Sequence, residues 1–235
     1  MFLSIMYDFM IIGHRGAAGY EPENTLLSFR KAMDIGVDWI EFDLHRSADG
    51  HLMVIHDPSV DRTTNGHGKV SEMTLDELKK LDAGKGQQIP TFQEVIDLAR
   101  GHVKMIPEIK QEGTELEVLD IIDRNDIINQ CMVSSFSGYS IRRCKEFNPQ
   151  LQTAAIFSHL PIDFKAEALD IMADALFLRK DIVSRELVKE CHKNGFNVCI
   201  WNEDNADEIR KYAEMEPDFM SSNYPDRLKQ IVATA

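Results

Sequence analysis

The sequence predicts an α/β protein of the (β/α)₈ TIM-barrel class, with a small insertion after the second strand. Three observations lead there. Short apolar runs alternate with amphipathic stretches from end to end, which is the signature of right-handed βαβ units around a parallel sheet. Eight such pairs can be counted, and that number favours a closed barrel over an open doubly wound sheet. The chain has 235 residues, close to the ~250 typical of such barrels and enough for one sizeable core. No internal repeat, low-complexity tract or Pro/Ser-rich linker interrupts the pattern, so residues 1–235 read as a single domain.

The first strand is expected at 10–13, after the apolar lead-in MFLSIMYDFMIIG. That segment lacks a basic start, is interrupted by Asp8 and is too short to span a bilayer. In the helix that follows, Leu26, Phe29 and Met33 share one face, and Gly36 marks its end. Further strands are expected at 39–44, 103–109, 131–135, 152–157, 175–178, 197–201 and 218–221. Most are apolar throughout, as strands buried on both faces should be. Thr91 with Glu94, and Thr114 with Glu117, have the spacing of capping boxes, and Gly101 and Gly195 are further helix stops. The alternation breaks after the second strand. There 51–56 reads as an extra strand, and 57–90, rich in Gly, Thr and Asp, holds one short helix near 76–81. An insertion in a βα loop lies over the catalytic face of a barrel, so 57–90 is a candidate wall or lid at the mouth.

Charge narrows the function. Lys and Arg number 26 against 39 Asp and Glu, a formal net charge of −13. No basic run is dense enough to follow a nucleic-acid backbone, and no amphipathic helix or basic cluster suits stable membrane association. The overall field repels a small anion, so a phosphate site needs its own local cations or a metal. Cys131, Cys144, Cys191 and Cys199 form no CxxC pair and fall in apolar or helical stretches. They read as free thiols of a reducing compartment, which makes cytoplasmic residence the expectation.

The candidate chemistry follows the strand ends, where the reactive groups of a barrel gather. Gly13-His14-Arg15-Gly16 comes directly after the first strand, with Glu23 and Asn24 before the next helix. The planar fork of Arg15 suits a phosphate. On the second strand Glu41 and Asp43 are two apart, so both side chains leave the same face. Two such charges beside an apolar core call for a cation, and hard carboxylate oxygens suit Mg²⁺ or Ca²⁺. Glu108, on the strand at 103–109, is the third carboxylate, and Lys110 on the same face could hold a phosphate oxygen. His56 closes the extra strand and is followed by Asp57-Pro58, a turn start. With His14 it gives two imidazoles, able to remove one proton and deliver another. His67, in Thr-Asn-Gly-His-Gly, is a further candidate for substrate contact, whereas His102, His159 and His192 read as surface or helix-end residues.

These residues, in this order, resemble the glycerophosphodiester phosphodiesterase family. The carriers are the HRG of GHRGAAGYEPENTLLSF, the ExD of WIEFDLHR, the HD of MVIHD and the ExK of PEIK. Further echoes are Asp61-Arg62-Thr63-Thr64-Asn65-Gly66, Ser134-Ser135-Phe136, Trp201 and Asn223-Tyr224-Pro225. The resemblance implies one divalent cation on Glu41, Asp43 and Glu108, catalytic His14 and His56, and Arg15, Lys110 and Trp201 as substrate contacts. It also implies hydrolysis of small glycerophosphodiesters to glycerol 3-phosphate and an alcohol through a cyclic phosphate, one histidine acting as base and the other as acid. The resemblance leaves the order open, and the expectation here is His14 as first base and His56 as first acid. A lysophospholipase D with an apolar groove at the mouth, and a barrel that binds phosphate ligands without turnover, are the alternatives. Two segments depart from the family pattern, Trp201-Asn202-Glu203-Asp204 and Ser222-Asn223-Tyr224-Pro225. The acidic additions in the first suggest a cationic alcohol such as choline or ethanolamine.

Overall fold

In the computed structural model, which describes residues 7–233, the strands close a ring. Residues 1–6 of the expected lead-in lie outside the described residues. The strands are β1 (Met10–Gly13), β2 (Trp39–Arg46), β3 (Leu52–Val54), β4 (Lys104–Ile109), β5 (Met132–Ser135), β6 (Gln152–Phe157), β7 (Ala175–Arg179), β8 (Asn197–Trp201) and β9 (Phe219–Ser222). The helices are α1 (Leu26–Ile35), α2 (Leu75–Leu78), α3 (Phe92–Ala99), α4 (Glu115–Arg124), α5 (Gly138–Phe147), α6 (Phe164–Asp170), α7 (Arg185–Lys193), α8 (Ala206–Ala213) and α9 (Pro225–Ala233). Neighbouring strands run in the order β1, β9, β8, β7, β6, β5, β4, β2, and β2 pairs back onto β1. All eight of these pairings are parallel. The expected (β/α)₈ barrel is therefore the observed fold, with β3 antiparallel to β2 outside the ring.

Alternation along β2 shows how sequence places chemistry. Ile40, Phe42 and Leu44 point outward into the core shared with the helices, where the Phe42 ring meets Phe29 of α1 at 5.8 Å and Phe92 of α3 at 5.6 Å. Trp39 points inward, joining Ile12, Ile106, Met132, Phe177, Cys199 and Phe219 in the apolar filling of the barrel. Because side chains alternate, Glu41 and Asp43 must continue that inward face toward the C-terminal mouth. Truncating Phe42, which is fully buried, would cost roughly 3–5 kcal/mol and loosen the strand that carries both carboxylates.

Some local expectations change. β2 runs on to Arg46 because Leu44, His45 and Arg46 find antiparallel partners in Val54, Met53 and Leu52. β3 itself covers only 52–54, so His56 lies beyond its end rather than closing it. The last strand is shifted one residue, to Phe219–Ser222. Thr91 and Glu94 form the expected capping box, but Thr114 and Glu117 do not. There Arg46 donates to Glu117 at 2.7 Å, and the Thr114 hydroxyl donates to the Gln111 carbonyl at 2.8 Å. A box not anticipated from the sequence, Thr74 with Glu77, starts α2 instead. Residues 57–90 also contain a 3₁₀ turn at Val70–Glu72, and Val60, Val70, Leu78, Ala83 and Ile89 pack with Met53 and Ile55 into a small apolar cluster.

Candidate active site

The turn after β1 brings the first histidine to the mouth. Gly16 takes a left-handed φ of 84° and abuts Ser28 of α1, where a Cβ would come within 2.5 Å of the serine hydroxyl. Only glycine lets the loop lie so close to the helix. The turn leaves the Arg15 backbone N–H donating to Glu41 Oε2 at 2.9 Å and the His14 N–H donating to the Ser222 carbonyl at 3.1 Å.

The His14 ring is fixed by a chain of polar groups. Its Nδ1 lies 2.7 Å from Asn223 Oδ1, while Asn223 Nδ2 donates to Asp204 Oδ2 at 2.6 Å. Asp204 Oδ1 also accepts from the Asn223 N–H at 2.7 Å and the Ser222 hydroxyl at 2.8 Å. An ionised carboxylate only accepts, so the Asn223 amide must turn its nitrogen toward Asp204 and its oxygen toward His14. His14 Nδ1 therefore carries the proton, and Nε2, 3.9 Å from Glu41 Oε2, keeps its lone pair. Burial, with help from the Arg15 charge, lowers the His14 pKa to about 4. The imidazole is thus neutral near pH 7.

His56 is held differently. Its Nδ1 lies 2.6 Å from Asp57 Oδ1, and Arg62 Nε donates to Asp57 Oδ2 at 2.6 Å. Arg62 also grips Glu23 with two bonds of 2.8 and 2.9 Å, and Glu23 accepts from Arg15 at 2.8 Å. Hydrogen bonding to Arg62 holds the Asp57 carboxyl well below the usual carboxylate range. A zigzag of alternating charge thus runs along the rim from His56 to Arg15.

Glu41, Asp43 and Glu108 each offer an oxygen within 4.8 Å of the others, and all three residues are buried. Register explains the convergence, since Asp43 of β2 is paired with Glu108 of β4. Asn24, itself at a φ of 57°, donates to Asp43 Oδ2 at 2.7 Å. Burial, then Asp43 and the third carboxylate, push Glu41 well above the ordinary range; burial and Asp43 push Glu108 up to about 7. Burial acts the same way on Asp43, but Lys110 and Arg15 outweigh it and hold that carboxyl down. Glu41 Oε1, Asp43 Oδ1 and Glu108 Oε1 have no hydrogen-bond partner among the described residues. The last two face the Lys110 ammonium at 3.1 and 2.5 Å, at ion-pair distance but outside hydrogen-bonding geometry. Three buried, converging hard oxygens with spare lone pairs fit a divalent cation.

A single cavity gathers most of the expected residues. His14, Arg15, Glu41, His56, Glu108, Lys110 and Trp201 line it, with Asp43 just behind the wall. His67 is exposed and stands apart from it. Neither Glu203 nor Asp204 reaches the cavity. Glu203 is buried against Lys180 and the Asn205 N–H, and Asp204 is consumed by Asn223 and Ser222. The basis for expecting a cationic alcohol is therefore removed. Sequence reasoning did not foresee Asp204 and Asn223 as the support of His14, nor Asp57 and Arg62 as that of His56. The chain separation of 209 residues between His14 and Asn223 hid the first pairing, whereas the adjacency of Asp57 to His56 was a usable sign of the second.

Fold and site together define a (β/α)₈ barrel with a buried acidic cluster, fit for a cation, and two supported histidines at its mouth. The chain belongs to the glycerophosphoryl diester phosphodiesterase family, whose model matches residues 14–227. A glycerophosphodiester phosphodiesterase from Caldanaerobacter subterraneus is 34% identical over 236 residues, covering 95% of this chain and 97% of the relative. A phosphodiesterase from Oleispira antarctica, solved in complex with the product sn-glycerol-3-phosphate, superposes with a TM-score of 0.88 at 26% identity, covering 95% and 96% of the two chains. The glycerophosphodiester phosphodiesterase of Agrobacterium tumefaciens has a TM-score of 0.84 at 26% identity, covering 97% and 100%. As a member of this family the chain is an enzyme, a phosphoric diester hydrolase.

Proposed function

We propose that the protein hydrolyses small glycerophosphodiesters to glycerol 3-phosphate and an alcohol, by metal-assisted acid–base catalysis with two histidines. The observation that carries the reading is the meeting, in one cavity wall, of two imidazoles, the carboxylates of Glu41 and Glu108, Arg15 and Lys110. His14 is the first base: it is neutral near pH 7 and its Nε2 lone pair is free of the Asn223 chain. It takes the proton of the glycerol 2-hydroxyl, whose oxygen attacks phosphorus. His56, steadied by Asp57, gives a proton to the departing alcohol oxygen, and a cyclic phosphate results. Water then opens the ring, with the histidines exchanging roles, and glycerol 3-phosphate leaves.

Glu41, Asp43 and Glu108 would hold one divalent cation, Mg²⁺ or Ca²⁺, which would offset charge on the phosphoryl oxygens. Arg15 and Lys110 turn from the carboxylates to the phosphate, and Trp201, edge-on to Phe136 at 5.8 Å, forms the apolar side of the substrate site. Residues 57–90 form the rim that anchors His56 through Asp57 and Arg62. Among the described residues no helix is long and apolar enough to cross a membrane, and the four cysteines are buried and free. The free thiols fit an enzyme of a reducing compartment such as the cytoplasm.

A second reading, turnover of acyl-bearing lysophospholipids, is favoured by the half-exposed Phe136 and Tyr139 after β5 and by Leu160 and Ile162 after the adjacent β6. The test measures glycerol 3-phosphate release from glycerophosphocholine in wild type, His14→Ala and His56→Ala, with lysophosphatidylcholine as a second substrate. Each substitution should lower kcat by about 10²–10⁴-fold. Wild-type rates in both variants would remove the histidine pair, and hydrolysis of the lysolipid alone would move the substrate class.

A further inference from the structure

The cavity wall contains a polar group that the reaction above leaves unused. Ser134 sits on β5 opposite Glu108 of β4, fully buried, and its side chain lines the cavity. Its hydroxyl has no hydrogen-bond partner among the described residues. The next serine along shows what a structural hydroxyl does in this strand: Ser135, facing the other way, donates to the Ile109 carbonyl at 2.8 Å and accepts from the Ser137 N–H at 3.1 Å. A buried hydroxyl left unmated is a standing cost to folding, so alanine or valine would serve the core better at position 134 unless something outside the chain supplies the partner. The cavity is the place from which such a partner can come.

We propose that Ser134 is a specificity-determining residue that hydrogen-bonds the terminal hydroxyl of the substrate's glycerol moiety. The inference rests on the glycerophosphodiester reading. In that reading Arg15, Lys110 and the cation account for the phosphoryl oxygens, and the glycerol 2-hydroxyl is occupied as nucleophile. The terminal hydroxyl is the one polar group of the glycerol unit still without a partner. A serine hydroxyl both donates and accepts, as an alcohol partner requires, and it is neutral, so it can stand beside Glu108 without repulsion. Phe136, just past the end of β5, packs edge-on against Trp201, and both rings line the same cavity as Ser134.

The experiment is a cycle between protein and substrate. Wild type and Ser134→Ala are assayed on glycerophosphocholine and on its analogue with a methyl group in place of the terminal CH₂OH, which keeps the attacking 2-hydroxyl. Thermal midpoints of both proteins are measured alongside. Wild type should disfavour the analogue by roughly tenfold or more in kcat/KM, because the analogue leaves Ser134 unpaired. Ser134→Ala should lose about tenfold on glycerophosphocholine, change little on the analogue, and keep or raise its melting temperature. Equal losses on both substrates with a lowered melting temperature would show a structural hydroxyl and overturn the proposal. So would a wild type that accepts the analogue as well as the natural diester, a result that needs no variant. A wild type inactive on both substrates would instead refute the glycerophosphodiester reading itself.

Discussion

Replacing Asp204 by Asn changes one atom of a residue outside the cavity and should disable His14. The Asp204 carboxylate accepts three hydrogen bonds: Oδ1 from the Ser222 hydroxyl and the Asn223 N–H, and Oδ2 from the Asn223 side-chain nitrogen. In Asp204→Asn the carbonyl oxygen can keep the first two. The new NH₂ then faces the Asn223 NH₂ across a 2.6 Å contact, donor against donor. A lost hydrogen bond to a charged group costs about 1.5–3 kcal/mol. At roughly 2–4 °C per kcal/mol for a chain of this size, the melting temperature should fall by about 3–12 °C. The repulsion is relieved if the Asn223 amide turns over, but its nitrogen then confronts His14 Nδ1 and drives the imidazole proton to Nε2. The base would be blocked at the start of the reaction. Neutralising the buried carboxylate that fixes a catalytic histidine's tautomer elsewhere costs about 10⁴-fold. With an amide interposed, the expected loss in kcat on glycerophosphocholine is roughly 10²–10⁴-fold. Nitrogen chemical shifts of the His14 ring would report the tautomer directly. An Asp204→Asn enzyme with wild-type kcat and an unchanged Nδ1–H tautomer would refute the relay.

Chelation should abolish turnover, and added Mg²⁺ or Ca²⁺ at about 100 times its Kd should stabilise the protein by roughly 2.7 kcal/mol, read as a rise in melting temperature that Glu41→Gln lacks; full activity in chelator would remove the cation from the cradle. Arg62→Ala should cost about 1 kcal/mol at pH 6, since the pair with Asp57 is partly exposed, and should lower kcat through a less ordered His56. The sign of its pH dependence follows from the depressed Asp57 pKa. That stabilisation is complete above the ordinary aspartate pKa near 3.9 and is lost as pH falls toward the folded value, so melting curves of Arg62→Ala and wild type should converge only in acid. Thr91→Ala, which removes half of the α3 capping box, should lower stability by about 1 kcal/mol and leave kcat unchanged in the same assay.

The ring of strands was legible because each strand is short, apolar and separated by a helix with its own stop, and such local signals survive tertiary context. Glu41, Asp43 and Glu108 were legible for a similar reason: the two-residue period of a strand decides facing, and their charge amid Trp39, Ile40, Phe42 and Ile106 requires neutralisation. The failures are equally physical. Thr114 and Glu117 have the spacing of a cap, but Arg46, brought from β2 by the extra antiparallel pairing, competes for the carboxylate. Glu203 and Asp204 looked like substrate contacts because charge was read without direction, and the backbone turns both into the protein. Ser134 was marked only as part of the Ser134-Ser135-Phe136 echo, since Ser134 and Ser135 look alike until the strand assigns one to each face.

The bond between His14 and Asn223 spans 209 positions, joining the first strand's turn to the residue after the last strand. The carboxylates, both histidines and the phosphate-facing cations all lie within residues 14–110, so a chain halfway through synthesis already holds its reactive groups. What it lacks is the clasp. Only when β9 docks beside β1 can Asp204, through Asn223, fix the His14 ring that the proposed mechanism uses as its base. On the proposed mechanism, competence for hydrolysis would be reserved for the finished ring. Chains cut short before Asn223, or clipped there later, would be silenced at the opposite end of the sequence from the proposed reactive groups.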